Sequence, residues 1–154
     1  MNSKLELDRL DRRIIEALQQ DGRVSLTEIG KRIGLSQPAV SERVQKLHDR
    51  GVITGYRAIV DPASVGLPIT AFVRLKTGQE HIKPCLDLFR ERREITEAHR
   101  VSGEDCFVIK VAVSDPAALE QIADVIARFG PVTTSLVFNS YIDRPIAPSG
   151  GHAA

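Results

Sequence analysis

Residues 26–47 read LTEIGKRIGLSQPAVSERVQKL, and this stretch predicts two helices joined by a three-residue turn. Ser25 with Glu28 three positions later forms a capping box, which starts the first helix. Gly30 is small enough for a second helix to cross closely. Gly34 ends the first helix in the left-handed conformation, which glycine adopts at low cost.

The second helix has an apolar face and a polar face. Ser36 caps its start, Pro38 is tolerated in the first turn, and Gly51 ends it with a Schellman motif. Its inward-facing residues recur at i, i+4 and i+7, and they are Val40, Val44 and Leu47. Its outward-facing residues are Ser41, Glu42, Arg43, Gln45 and Lys46. This is the arrangement of a helix-turn-helix, whose second helix enters the DNA major groove.

Local charge supports a nucleic-acid partner. Residues 31–57 hold six basic and two acidic side chains, whereas the whole chain has a net charge of only +1. Affinity for double-stranded DNA must therefore come from this patch and from its doubling in a dimer. The alternative is a solvated basic face on a structural bundle. The predicted DNA-binding residues are Arg32, Ser36, Gln37, Ser41, Arg43, Gln45, Lys46 and Arg50.

The bulk composition narrows the class of protein. A chain of 154 residues with 42% hydrophobic and 27% charged side chains is typical of a globular protein with one average or two small domains. Cys85 and Cys106 are too few and too far apart for a disulfide framework or a CxxC zinc site. We expect no metal site and no cofactor. No apolar run approaches membrane-spanning length and the amino-terminal residues contain no apolar h-region, which predicts a cytoplasmic protein without a membrane partner.

The chain is predicted to contain two domains. Residues 8–20 form a first helix that packs on the helix-turn-helix, and residues 52–60 are β-rich, as in a winged head. Two prolines and a glycine between residues 61 and 68 mark a linker. We expect a winged-type helix-turn-helix head at 1–61, a linker at 62–68, a second domain at 69–144 and a disordered tail at 145–154.

The second domain alternates strands and helices. Strands are predicted at 69–76, 95–101, 106–113 and 132–142, with helices after the first and third strands. The order β-α-β-β-α-β is the ferredoxin-like arrangement, so the chain is of the α+β class. The helices cover one face of this sheet, and the other is too apolar for water, which predicts a homodimer. That second face is expected to carry Phe72, Ala98, Cys106, Val108, Ala112, Ser135, Val137 and Tyr141.

Four short motifs follow one another in the head: LDRRII at 10–15, DGR at 21–23, IGLS at 33–36 and GVITGY at 51–56. With the second domain, they resemble the Lrp/AsnC (feast/famine) family of transcription regulators over residues 7–144. The resemblance implies a ferredoxin-like domain that dimerises through its sheet and assembles further, to tetramers or octamers. It also implies an amino-acid or related effector at that interface, near a hairpin matched here by residues 101–105.

The hairpin supplies the predicted effector site. Many members of the family place an acidic residue three positions after the hairpin glycine, where this chain has Cys106. A zwitterion needs amides for its carboxylate and carbonyls or an acidic side chain for its ammonium group. Gly103 lets a ligand approach the backbone, although the turn alone also explains a glycine there. The predicted effector-binding residues are Ser102, Gly103, Glu104 and Asp105 with Thr133, Thr134 and Ser135, the last three from the same or the other subunit.

The predicted function is therefore sequence-specific transcriptional regulation in response to a small effector, with no catalytic residues. Two alternatives belong to other classes. Sirohaem decarboxylases resemble the same two-domain architecture, but a tetrapyrrole pocket needs clustered basic and histidine residues, and only His99 and Arg100 lie near the equivalent region. A pure protein-interaction module is the other alternative, and a gel shift separates it from a regulator.

Overall fold

The structure, a computed structural model, describes residues 7–147, which divide into two units. The first unit contains the residues up to Ala58 and those from Ile142 onward, and the second spans Ile59–Tyr141. We call residues 7–58 the head and residues 59–141 the sheet domain. The predicted tail falls partly on residues 148–154, outside the described residues, and its disorder stays a prediction. No helix in the described part of the chain is long and apolar enough to cross a membrane.

Three helices build the head: α1 (Arg9–Gln20), α2 (Leu26–Ile33) and α3 (Gln37–Asp49). Their apolar stripes meet in a core that excludes water because each helix turns its i, i+3 and i+4 positions inward. The buried residues of this core are Ile14, Ile15, Ile29, Val40 and Leu47. The predicted helix-turn-helix is confirmed, with each helix within a residue of its expected bounds.

Local caps set the helix ends. The Ser25 hydroxyl accepts from the Glu28 amide at 3.1 Å, and Gly34 has a φ of 76°. The Val52 amide donates to the Leu47 carbonyl at 2.9 Å, and this is the long bond of the predicted Schellman motif. The reciprocal capping box is in α1 rather than α2: the side chains of Asp8 and Asp11 each accept from the other's amide.

A β-rich wing was predicted at 52–60, but residues 54–60 form no strand. Within the head there is no other strand for this segment to pair with, and an isolated strand leaves its backbone groups without ladder partners. A side chain holds the segment instead. The Tyr56 hydroxyl lies 3.3 Å from His48 Nε2, with the two ring centroids 5.5 Å apart.

The sheet domain has the predicted order of strands and helices. Its elements are β1 (Ile69–Leu75), α4 (Ile82–Glu91), β2 (Ile95–Arg100), β3 (Phe107–Val113), α5 (Pro116–Ala127) and β4 (Val132–Leu136). The strands lie side by side in the order β2-β3-β1-β4, and every neighbouring pair is antiparallel. This is the ferredoxin-like βαββαβ topology.

The last strand ends six residues before its predicted end at 142. It is an edge strand whose single neighbour is β1, and β1 begins at Ile69. The Val137 amide still donates to the Thr70 carbonyl at 2.9 Å. Beyond that bond only Ile69 of β1 remains, so the ladder stops.

Helices α4 and α5 cover one face of the sheet, over a core that includes Val73, Leu75, Phe107, Ile109 and Ile126. We call the opposite side the outer face. Directly paired residues point to the same side, so the register assigns each side chain to a face. The outer face carries Thr70, Phe72 and Arg74 from β1, Val108, Lys110 and Ala112 from β3, Glu97 and His99 from β2, and Thr133 and Ser135 from β4.

Three residues predicted for that face lie elsewhere. A bulge between Ile95 and Glu97 shifts the alternation of β2, so Ala98 pairs with Ile109 on the helix-covered side. Cys106 precedes β3 and packs partly against the core. Tyr141 lies beyond the end of β4.

We expect Gly30→Ala to destabilise the head by about 1–3 kcal/mol, the usual cost of overpacking. A Cβ at Gly30 lies 2.5 Å from the Leu35 carbonyl oxygen and 3.6 Å from a Val40 methyl group. Gly22→Ala is the matched control, because its Cβ meets only ordinary contacts, the nearest at 3.7 Å. Urea denaturation followed by circular dichroism measures both, and equal midpoints for Gly30→Ala and the wild type contradict the close approach.

Candidate nucleic-acid interface and effector face

Helix α3 presents a polar surface because its apolar residues are buried. Val40 and Leu47 are in the core of the head, whereas Gln37, Gln45, Lys46 and Arg50 are exposed. Ser41 is half-buried, and the exposed Ser36 uses its hydroxyl as the N-cap, accepting from the Ala39 amide at 3.4 Å. The predicted residues of this helix, apart from Arg43, thus line its outward side or its capped start.

Several outward side chains already have partners within their own helix. Lys46 Nζ lies 2.6 Å from Glu42, and this hydrogen bond lowers the pKa of the Glu42 carboxyl. Arg32 Nε lies 3.2 Å from Glu28, and the Gln45 amide donates to Asp49 at 2.8 Å. Exposed i,i+4 pairs of this kind contribute only about 0.3–0.5 kcal/mol. A phosphate can therefore replace such a partner at little cost.

Arg43 turns inward, toward α1. Its Nη1 lies 2.7 Å from Asp8 Oδ2 and 2.7 Å from Asp11 Oδ1. The Arg43 side chain is 30% exposed, whereas that of Lys46 three residues later is 64% exposed. Hydrogen bonds to the two carboxylates raise the pKa of Arg43. The bond from the Asp11 amide, together with Arg43, lowers the pKa of Asp8.

Sequence reasoning missed this ion pair because its members are 32 and 35 residues apart. One sign of it was available. Arg43 follows Val40 by three residues and precedes Leu47 by four, so helical periodicity places it at the edge of the buried stripe.

The predicted effector hairpin is exposed at its tip. The Val101 amide donates to the Cys106 carbonyl at 3.1 Å and closes the turn, while Ser102, Gly103 and Glu104 are exposed. Gly103 has a φ of 115°, and a Cβ built there meets no atom within 4 Å. The conformation alone therefore requires glycine, and the space in front of it is open.

The outer face brings part of the predicted effector site together. Asp105 Oδ2 lies 4.0 Å from Arg74 Nε, and Arg74 pairs with Thr133 across the ladder between β1 and β4. Ser135 pairs with Phe72 on the same face. Arg74 was not predicted, although its place in an alternating strand opposite the buried Val73 and Leu75 points to this face.

Thr134 does not belong with these residues. It pairs with the buried Val73, so it lies on the helix-covered side of the sheet. Two consecutive strand residues cannot both face the same ligand, because their side chains point to opposite sides.

The Cys106 thiol is engaged in the fold. Its Sγ donates to the Thr77 carbonyl at 2.9 Å and accepts from the Thr77 amide at 3.4 Å. Arg100 adds a 3.3 Å bond from Nη2 to Gln79. These bonds anchor the base of the hairpin to the loop between β1 and α4, and they leave Asp105 as the half-exposed acidic group beside the outer face.

Both units match models of known protein domains. The model of the AsnC-type helix-turn-helix domain matches residues 7–48, and the model of the Lrp/AsnC ligand binding domain matches residues 70–147. The transcriptional regulator LrpB of Bacillus subtilis is 32% identical over 126 residues, covering 82% of this chain and 85% of LrpB.

Two solved structures are also similar. That of E. coli AsnC has a TM-score of 0.84 at 29% identity, covering 93% of this chain and 99% of AsnC. A feast or famine regulatory protein from M. tuberculosis, solved in complex with L-methionine, has a TM-score of 0.85 at 32% identity. The match covers 93% of this chain and 100% of that protein.

Proposed function

The chain belongs to the Lrp/AsnC family of transcriptional regulators, and we propose that it binds specific double-stranded DNA sequences through α3 under the control of an amino-acid-like effector. The observation that carries the proposal is the outward polar face of α3, which is set by the burial of Val40 and Leu47. Gln37, Ser41 and Gln45 are in position to contact base edges. Phosphate contacts fall to Arg32, Lys46 and Arg50, with Ser36 at the capped start of the helix.

We propose further that the chain forms a homodimer through the outer face. Phe72, in a central strand, is 39% exposed, and Val108 of the neighbouring strand is half-buried on the same side. Phe72, Val108 and Ala112 are the apolar residues of this face, and Lys110, which lies opposite Phe72, is paired with Glu97 at 2.9 Å. A mixed apolar and polar face of this kind has the composition of a non-obligate subunit interface. A dimer places two heads on a palindromic site, and further assembly to a tetramer or octamer multiplies them again.

The effector site that we propose lies on this face beside the hairpin. Asp105 accepts from the ammonium group of an amino acid, and the Arg74 guanidinium with the hairpin amides binds its carboxylate. Ser102, Gly103 and Glu104 border the site, while Thr133 and Ser135 add hydroxyl groups. The complex of the M. tuberculosis relative with L-methionine supports an amino acid as the class of effector.

The enzyme alternative receives less support. The LrpB relative is named a transcriptional regulator. His99 pairs with Val108 on the outer face, whereas Arg100 pairs with Phe107 on the helix-covered face, so these two residues do not converge on one pocket. A purified protein that shows no tetrapyrrole absorbance after incubation with sirohaem counts against that enzyme class.

We predict that Lys46→Ala weakens binding to all DNA sequences alike. Loss of one phosphate contact lowers the slope of log affinity against log salt concentration by about 1. Lys83→Ala, the same change on α4 of the sheet domain, serves as control and leaves the slope unchanged. Fluorescence anisotropy over a salt series measures both variants, and an unaltered slope for Lys46→Ala removes this residue from the interface.

We predict that Phe72→Glu converts the dimer to monomers, because it places a charge in the centre of the proposed interface. Leu86→Glu is the matched control: Leu86 is 37% exposed, nearly as much as Phe72, but lies on α4 on the other side of the sheet. Sedimentation at micromolar concentration should separate the two variants. A dimeric Phe72→Glu places the subunit contact elsewhere.

We predict that Asp105→Asn and Thr133→Val each lower the affinity for the effector by about tenfold. This is the effect of losing one hydrogen bond to a charged group. Thr134→Val, on the opposite side of the sheet, is the control and retains the wild-type affinity. A thermal-shift screen of the twenty L-amino acids and their keto-acid relatives identifies the effector, and calorimetry compares the variants. The proposed site is incorrect if Thr134→Val is as damaging as Thr133→Val.

A further inference from the structure

Arg43 of α3 forms an ion pair with Asp8 and Asp11 at the start of α1, and the proposed DNA contacts assign no role to this ion pair. We infer that Arg43 is a positioning residue, which sets the orientation of α3 for DNA through Asp8 and Asp11, and that it is not a base contact. This inference rests on the proposed DNA binding by α3. It replaces the role that the sequence predicted for Arg43.

The geometry of the two carboxylates shows that capping and cross-linking use different oxygens. In the capping box, Asp8 Oδ1 accepts from the Asp11 amide at 2.8 Å, and Asp11 Oδ2 accepts from the Asp8 amide at 3.3 Å. The remaining oxygens, Asp8 Oδ2 and Asp11 Oδ1, accept from Arg43 Nη1 at 2.7 Å each. The cap therefore fixes both carboxylates and leaves one oxygen of each for Arg43.

Apolar packing determines which side of α3 faces inward, but it fixes the rotation of the helix less sharply than directional bonds do. Burial of Val40 and Leu47 is favourable in proportion to area and has little directional preference. Charge-assisted hydrogen bonds, by contrast, fix both distance and direction. Since Arg43 lies at the edge of the buried stripe, its bonds to α1 restrain rotation of α3 about its own axis.

The surroundings keep this restraint in place at neutral pH. Asp11 is almost fully buried, and the lowered pKa of Asp8 keeps its carboxylate charged. The ion pair lies in a cleft of about 510 Å³ between α1 and α3, lined also by Leu35, Ala39 and Lys46. A rotation of α3 that carries Arg43 outward to DNA leaves the charge of Asp11 buried without its partner, which is costly.

The experiment asks whether removing the negative charge of Asp8 raises or lowers the affinity for DNA. Asp8→Asn removes a negative charge from the head, which raises affinity for DNA if charge is all that matters. Asparagine caps helices as well as aspartate does, so α1 is retained. If Asp8 holds Arg43 and Arg43 holds α3, Asp8→Asn instead lowers affinity, on the order of fivefold. Glu42→Gln is the matched control, since it removes an exposed carboxylate that binds Lys46, and it leaves affinity equal or higher.

Binding is measured with the full chain and two probes: the duplex that the wild type selects from a random library, and a scrambled duplex of the same length. We expect Asp8→Asn and Arg43→Gln to weaken the selected duplex without lowering the salt slope, and their double variant to cost no more than either alone. Arg43→Lys should retain most of the affinity, because a single nitrogen of Arg43 serves both carboxylates. Circular dichroism verifies that each head is folded.

The outcomes separate this inference from the proposed function. If the wild type selects no duplex, the proposed sequence-specific DNA binding fails. If it selects one, and Asp8→Asn binds it as tightly as Glu42→Gln does, the positioning role is refuted. A fall of about 1 in the salt slope of Arg43→Gln, with Asp8→Asn unaffected, identifies Arg43 as a phosphate contact instead.

Discussion

The burial of Val40 and Leu47 against Ile14 and Ile29 determines which side of α3 faces outward. Every role in the head follows from that constraint. The side chains half a turn away from the stripe are available to DNA, and the one at its edge, Arg43, reaches α1 instead. Gly30 permits the packing, because any side chain there collides with the Leu35 carbonyl and separates α2 from the turn that leads into α3.

The ends of the helices were predictable because their determinants are local. Ser25, Gly34, Ser36 and Gly51 act through bonds that span three to five residues, and such bonds are visible in one sequence. The alternation of β1 was equally clear, and so was the order of elements that gives the ferredoxin-like sheet. The capping box of α1 escaped notice because aspartate replaces the more familiar glutamate at its N3 position.

Features that depend on pairing could not be predicted in the same way. A one-residue bulge in β2 places Ala98 on the helix-covered side of the sheet instead of the outer face. The register of β4 on β1 places Thr133 on the outer face and Thr134 on the helix-covered side. The length of β4 depends on where its neighbour starts. Arg74 and Asp105 come together only because the hairpin returns the chain beside β1, so the candidate effector site was predicted in part, as a hairpin without its arginine.

The small number of proposed DNA contacts in one head makes subunit assembly the step at which DNA binding can be regulated. The proposed phosphate contacts of one head are only Arg32, Lys46 and Arg50, so a single head is a weak ligand for DNA. Joining two heads raises affinity through effective concentration, without any new contact in either head. An effector bound on the outer face of the sheet therefore needs to alter only the assembly of subunits to alter DNA binding. The positioning role that we infer for Arg43 fits this division, because its ion pair with α1 lies within one head and does not depend on the assembly of subunits.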